Sequence, residues 1–284
     1  MARELDGRSA NATMHPVNDP QMLNAWFAQR PACVIACSGG IDSLLLATLA
    51  HRAAGAQVRV VHAVSPAVPP DATARVQENA AREGWRLALI DSGEFEDEHY
   101  LANPQNRCFH CKSHLYGLLE RIARESAPDV CVVSGANQDD LGEYRPGLMA
   151  AAQHGVRHPY IELGVGKQAI RAMARQLGLD YAELPASPCL ASRLYTGTRV
   201  TPERLRFVNR AEQMVRRLTG CVVVRCRIEV RTVRIEVPDE DRHCVDHSVL
   251  AAVRALARTD LPEVDAVVLD ARAYAPGRAF VGAT

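Results

Sequence analysis

The chain has 284 residues, 48% of them apolar, with 33 basic and 33 acidic side chains. That length predicts one large or two unequal domains, and the zero net charge excludes a global electrostatic pull toward nucleic acid or membrane. No unbroken apolar run reaches membrane-span length and no charged start leads into an apolar core, so a soluble, cytoplasmic protein is expected.

Residues 1–21 are rich in Arg, Asn, Asp and Pro without periodicity and are expected to form a disordered leader. Met22, Leu23, Trp26 and Phe27 predict a short helix packed beside the first strand. Strand-like runs follow at 32–37, 57–63, 86–91 and 129–134, with helix-like runs at 42–54, 71–83, 112–125, 147–154 and 167–177. Such alternation predicts an α/β fold, a parallel sheet with helices on both faces. In the last of these helices Ile170, Met173, Ala174 and Leu177 share one face, and Gly178 ends it. Leu184–Arg199 is rich in Pro, Ser, Thr and Gly and reads as an active-site loop and a link to a second unit. Thr201-Pro202 then opens a helix by N-cap and first-turn proline logic. Its apolar face (Leu205, Val208, Val215, Leu218) also carries Glu212, which reads as an ion-pair partner before a catalytic group. Strands at Val222–Arg227 and Val233–Val237, a helix near 246–258 and a strand near 265–270 complete a small C-terminal α+β domain.

The first strand runs Cys33-Val34-Ile35-Ala36-Cys37 straight into Ser38-Gly39-Gly40-Ile41-Asp42-Ser43. Two glycines between a strand and a helix let the backbone approach an anion, and the helix start offers free N–H groups at its positive end. No Gly-Lys-Ser/Thr follows, so the loop is not of Walker type. Asp139 and Asp140, after Ser134-Gly135-Ala136-Asn137-Gln138, could hold magnesium against phosphate oxygens, or simply shape a solvated turn. Lys167, Arg145 and Arg193 are candidate phosphate clamps.

Nine cysteines, an odd number, argue against a complete disulfide framework. Cys108-Phe109-His110-Cys111 has half-site spacing for zinc, an iron–sulfur cluster or a redox pair, and Cys189 in Pro188-Cys189-Leu190-Ala191-Ser192-Arg193 is a third candidate ligand. Three thiolates from two loops would leave a fourth coordination position open for an exogenous ligand such as sulfide. Cys33, Cys37 and Cys131 lie in strands and read as core packing.

Ser38–Ser43 looks like the PP-loop of the ATP pyrophosphatases, whose fold is adenine nucleotide α-hydrolase-like. Together with Arg107–Lys112, Gly135–Gly147, Pro185–Arg193, Arg225-Cys226-Arg227 and Arg234–Val237, it resembles the LarE family of ATP-dependent sacrificial sulfur transferases. The resemblance implies a PP-loop domain at 22–199 and a small substrate and oligomerisation domain at 200–284. It implies ATP and Mg2+ at Ser38, Gly39, Gly40, Asp42, Ser43, Gly135, Asp139 and Lys167, and catalysis by Cys189, Asp42 and Arg193. The substrate, pyridinium-3,5-biscarboxylic acid mononucleotide, would lie against Arg107, Ser192, Glu212 and Arg225. Its carboxylates would be adenylated and thiolated in nickel-pincer nucleotide biosynthesis. One type in this family sacrifices the cysteine matching Cys189; the other holds a four-iron, four-sulfur (4Fe-4S) cluster on three cysteines, and Cys108, Cys111 and Cys189 match that type. A sulfide donor and a homo-oligomer are further implied. The rival expectation is another PP-loop enzyme such as a tRNA thiolation enzyme, favoured by the arginines between 216 and 234 and opposed by zero net charge and 5% aromatics.

Overall fold

In the computed structural model, which describes residues 19–279 apart from 31, 128 and 143, the chain alternates strand and helix from its first apolar run. The expected leader lies outside the described residues up to 18, and helix α1 (Pro20–Ala28) takes in Pro20 and Gln21. The Asp19 carboxylate caps that helix by accepting from the Gln21 N–H, and Leu23, Trp26 and Phe27 are buried beneath it. Then come β1 (Cys33–Ala36), α2 (Ile41–Ala54), β2 (Val58–Ala63), α3 (Pro70–Glu83), β3 (Arg86–Ile90) and the single turn α4 (Glu98–Leu101). They are followed by α5 (Arg107–Ser126), β4 (Cys131–Ser134), α6 (Pro146–Gln153), α7 (Pro159–Glu162) and α8 (Lys167–Gln176).

The four strands form one parallel sheet in the order β3-β2-β1-β4. Side chains alternate across it, so Ile35 and Val60 enter one core while Val34 and Val61 enter the other. The first core holds α1, α2 and α8 through Phe27, Leu44, Leu45, Leu49, Ile170 and Met173. The second holds α5 and α6 through Leu115, Leu119, Ala150 and Ala151. Helices therefore cover both faces, as the alternation predicts. Helix α2 is buried on every side from Leu44 to Ala50, so truncating any of its leucines to Ala would cost about 2–5 kcal/mol. That immobility fixes the helix start, where the glycine turn sits.

One boundary differs from expectation. Helix α5 begins at Arg107, five residues before the apolar periodicity does, because backbone bonds from Arg107 to Pro104 and from Phe109 to Asn106 start its winding. Cys108 and Cys111 therefore sit at the start of a helix, about one turn apart, and not in a loop.

The C-terminal unit consists of α9 (Pro202–Thr219), β5 (Arg225–Glu229), β6 (Thr232–Glu236), α10 (His247–Asp260) and β7 (Ala266–Leu269). Its sheet is mixed, β5 antiparallel to β6 and β6 parallel to β7. Thr201 caps α9 by accepting from the Arg204 N–H at 3.3 Å, and left-handed Gly220 ends it. The core of this unit also takes in Ala67, Tyr100, Leu190, Ala191 and Leu194, which precede residue 200. The two units thus share packing across the linking loop. Among the described residues no helix is long and apolar enough to cross a membrane.

Candidate active site

The strand order reverses between β1 and β4, and in open α/β sheets ligands bind beyond the carboxyl ends of the strands at such a point. Ser38-Gly39-Gly40 lies on that edge. Gly39 has φ of +81°, and a Cβ on it would stand 2.7 Å from the Ala72 carbonyl oxygen of α3. Both facts demand glycine. Gly40 is the N-cap of α2 and no side chain caps the helix there, so its first N–H groups are open to an anion. Gly135, just after β4, approaches α2 so closely that a Cβ would meet the Ser43 nitrogen at 3.0 Å. Ser43, 4% exposed, spends its hydroxyl on the turn itself. It accepts from the Ser38 N–H at 3.0 Å and donates to the Gly40 carbonyl at 3.0 Å. A residue not anticipated from sequence, Arg75 of α3, donates to the Gly39 carbonyl at 2.7 Å and steadies the turn from outside.

Three carboxylates lie beside this turn, one on α2 and two on the 3-10 turn after β4. The Asp42 carboxylate accepts from the Lys167 ammonium at 2.6 and 2.7 Å. Burial pushes the Asp42 carboxyl above its ordinary range, with Lys167 opposing the shift and the nearby Asp140 charge adding to it. Tyr160, fully buried, donates to the Asp42 carbonyl at 3.0 Å and fixes its backbone. Asp139 accepts from the Lys167 N–H at 2.6 Å, which locks the start of α8 against the loop after β4. Asp140 pairs with Arg145 at 3.0 Å. Ser38, Gly39, Gly40, Asp42, Ser43, Gly135, Asp139 and Lys167 thus converge on one sheet edge. The arrangement suits a polyphosphate: glycine backbone and a helix start below, Lys167 to one side, and Asp42 and Asp139 as ligands for a divalent cation.

Cys108 and Cys111 lie one turn apart on α5, partly open to solvent, and Cys189 is exposed at the cap of the 3-10 turn Leu190–Arg193. Burial pushes the Cys108 thiol up and Cys111 to about 12; a Cys189 thiolate raises both, whereas Arg107 and Lys112 lower Cys108, and Lys112 lowers Cys111. The three thiols are therefore within electrostatic reach of one another. Among the described residues, however, no three His, Cys, Asp or Glu side chains come together closely enough to hold a metal ion.

The turn carrying Cys189 is held from both units. Leu190 donates its N–H to the Ala67 carbonyl at 2.8 Å. Arg193, 3% exposed, donates to the carbonyls of Pro188 at 2.7 Å and Cys189 at 3.1 Å, and its other edge pairs with Glu212 at 2.9 and 3.1 Å. Glu212, 2% exposed, also accepts from the Cys226 N–H at 3.1 Å and Arg216 at 3.0 Å. It is a saturated ion-pair partner, the role its place on the apolar face suggests. Leaving either member of the Arg193–Glu212 pair buried alone would cost about 3–5 kcal/mol.

The other residues expected on the substrate side lie around this joint. Arg225 donates to the Ala186 carbonyl at 3.3 Å and lies 5.2 Å from the Tyr274 ring, and burial and then Arg193 lower its pKa. The Ser192 carbonyl accepts from Arg227 at 3.2 Å. Arg107 is buried and donates to the Asn103 side chain, while left-handed Asn103 donates to the carbonyls of Tyr195 and Thr198, each at 2.8 Å. Asn103 has no signal in the sequence, since its partners are 92 and 95 residues away. A cleft of about 380 Å³, lined by Val64, Ser65, Pro70, Thr73, Gln77 and Leu190, opens between the loop after β2 and the turn that carries Cys189.

No protein-family model matches the chain. It is 39% identical over 218 residues to an uncharacterized protein of Synechocystis sp., covering 77% of this chain and 81% of that one. It is 31% identical over 206 residues to the pyridinium-3,5-bisthiocarboxylic acid mononucleotide synthase of Lactiplantibacillus plantarum, covering 72% and 74%. It is 28% identical over 196 residues to one of the subunits of the glutamine-hydrolyzing GMP synthase of Methanopyrus kandleri, covering 64% and 62%.

Proposed function

The chain belongs to the PP-loop ATP pyrophosphatase-like proteins related to LarE, and from that premise we propose that it is an ATP-dependent, AMP-forming sulfur transferase. Its proposed substrate is pyridinium-3,5-biscarboxylic acid mononucleotide, whose carboxylates it converts to thiocarboxylates in nickel-pincer nucleotide biosynthesis. The observation that carries this reading is the cradle of Gly39, Gly40, Gly135 and the Asp42–Lys167 pair, with the Cys189 turn tied to the neighbouring loop through Ala67. The relative that is a bisthiocarboxylic acid mononucleotide synthase supports the choice of substrate.

In the proposed reaction a substrate carboxylate attacks the α-phosphorus of ATP and pyrophosphate leaves, giving an acyl-adenylate. A sulfur nucleophile then adds to the acyl carbon and expels AMP. The open N–H groups of α2 and Lys167 hold the pyrophosphate charge. Asp42 orients Lys167 and, with Asp139, would hold Mg2+, which neutralises phosphate charge when bound. Arg193 acts by positioning, because it grips the backbone on either side of the Cys189 side chain. By donor chemistry, and with the cations Arg107 and Lys112 beside Cys108, the thiols of Cys108, Cys111 and Cys189 would hold a 4Fe-4S cluster, although among the described residues they do not stand as a preformed metal site. When bound, such a cluster would supply an iron site for sulfide. The proposal includes a sulfide donor, a homo-oligomer, a cytoplasmic setting and units at 22–199 and 200–284.

A tRNA substrate finds little support, since of the arginines that suggested it all but the exposed Arg217 are paired or buried. Arg216 pairs with Glu212, Arg231 with Asp265 and Arg234 with Glu229, and Arg225 and Arg227 are buried. The test is release of pyrophosphate and AMP from ATP by the purified protein with the pyridinium biscarboxylate. Stimulated release that Asp42→Ala lowers by about 10²-fold or more is expected. Equal release with and without the pyridinium compound would overturn the substrate, and unchanged release from Asp42→Ala would overturn the site.

A further inference from the structure

Core packing accounts for Cys37, which is buried in the first core, but not for the relation between Cys33 and Cys131. These two are register partners at the first positions of β1 and β4, and their sulfurs are 3.4 Å apart. Neighbouring strands run about 4.8 Å apart, inside the Cα separation of about 4.4–6.8 Å that a disulfide spans. Bond formation needs the sulfurs to close by only roughly 1.4 Å.

We propose that Cys33 and Cys131 form a redox modification site at the sheet edge opposite the phosphate turn, a dithiol that low-molecular-weight disulfides convert to an intramolecular disulfide. The two sulfurs are unequal in a way that orders the chemistry. Cys33 is 1% exposed and lies 3.0 Å from the Arg30 carbonyl, to which it donates. Cys131 is the more open of the two. When the Cys33 S–H turns from Arg30 toward its neighbour at 3.4 Å, that hydrogen bond holds the Cys131 thiol below its ordinary value against the burial that raises it, and the Arg157 and Arg30 cations favour its thiolate further. Cys131 is therefore the attacking sulfur. Its thiolate displaces one thiolate from the external disulfide and leaves a mixed disulfide on Cys131. Cys33 then gives up its proton and attacks the Cys131 sulfur, expelling the second thiol. One external disulfide is reduced to two thiols and two protein thiols become one disulfide, so atoms and electrons balance. Excess thiol runs the exchange backward.

The test is incubation of the full chain, as purified, with glutathione disulfide, followed by alkylation and non-reducing peptide mapping. A peptide linking Cys33 to Cys131, reversed by glutathione, is expected. It should come with a melting temperature raised by roughly 5 °C or more, since the bond closes a span of 98 residues. Cys33→Ser should stop the exchange at a glutathione adduct on Cys131, and Cys131→Ser should leave Cys33 free. Recovery of both cysteines as alkylated thiols, or of a wild-type chain held at the mixed disulfide, would overturn the proposal. The wild-type map requires no variant to fold.

Discussion

At the scale of single residues, the site rests on places where one atom more does not fit. Gly39 is the sharpest of them, with a left-handed φ and the Ala72 carbonyl in the space that a side chain would take. Gly39→Ala is expected to push α3 from the turn and to lower ATP-dependent pyrophosphate release by about 10²-fold or more while the far-ultraviolet circular dichroism stays that of an α/β protein. Wild-type turnover in that variant would show that the turn does not hold the nucleotide. Gly135 and Gly166 serve the same close approach from β4 and from α8. A Cβ on Gly166 would meet the Asp139 carboxylate at 3.0 Å.

At the scale of elements, helices are fastened by polar ties whose strength depends on pH. Glu162 on α7 accepts from the Trp26 indole of α1 at 2.9 Å and from Arg157 at 2.6 and 2.8 Å. The Arg157 bonds above all, helped by Trp26, hold its carboxyl down at about 2 against an ordinary value of 4.5. A depressed acid stabilises the fold while ionised, so this contribution is complete above pH 4.5 and fades as pH falls toward 2. The urea midpoint of the wild type should therefore drop between pH 5 and pH 3 by more than that of Glu162→Gln. Equal drops would remove Glu162 from the acid transition. Ties of this kind are invisible in the sequence, since Trp26 and Glu162 are 136 residues apart. The turn itself is legible because Ser38 to Ser43 is a continuous stretch, whose strand, glycines and helix start are all local. Helix α5 shows the limit of periodicity: its start buries Arg107 and its first two turns carry the two cysteines, so no apolar stripe marks where it begins. Glu212 is legible by the opposite logic, a charge on an apolar face that must find a partner.

At the scale of the whole molecule, the proposed chemistry would draw on two units that meet through the loop of Cys189 and through Ala67 and Tyr100. The phosphate cradle belongs to the parallel sheet, whereas the turn of Cys189 packs into the core of the second unit through Leu190 and Ala191. If Cys108, Cys111 and Cys189 share a cluster, its assembly reports on the closure of that joint. Protein reconstituted with iron and sulfide without oxygen should hold about four irons per chain, and Cys108→Ala should lose them while retaining ATP-dependent pyrophosphate release. Absence of iron in the wild type would turn the proposal toward sacrifice of Cys189, seen as a mass loss of one sulfur and two hydrogens after turnover. A boundary at 199/200 follows the change in composition along the polypeptide. Composition does not show that Leu190, Ala191 and Leu194 carry their side chains into the second core, because that contact is made only in three dimensions.

Arg193 has a consequence that concerns motion. One guanidinium clasps the Cys189 carbonyl with one nitrogen and the carboxylate of Glu212, on α9, with the other two. The planar guanidinium thus ties the turn of Cys189 to the long helix through buried, charge-assisted bonds. A tilt of α9 that kept these bonds would carry the backbone of Cys189 with it. Exposed as it is, Cys189 stands at the tip of a lever whose fulcrum is buried, and its reach is set by the body behind it.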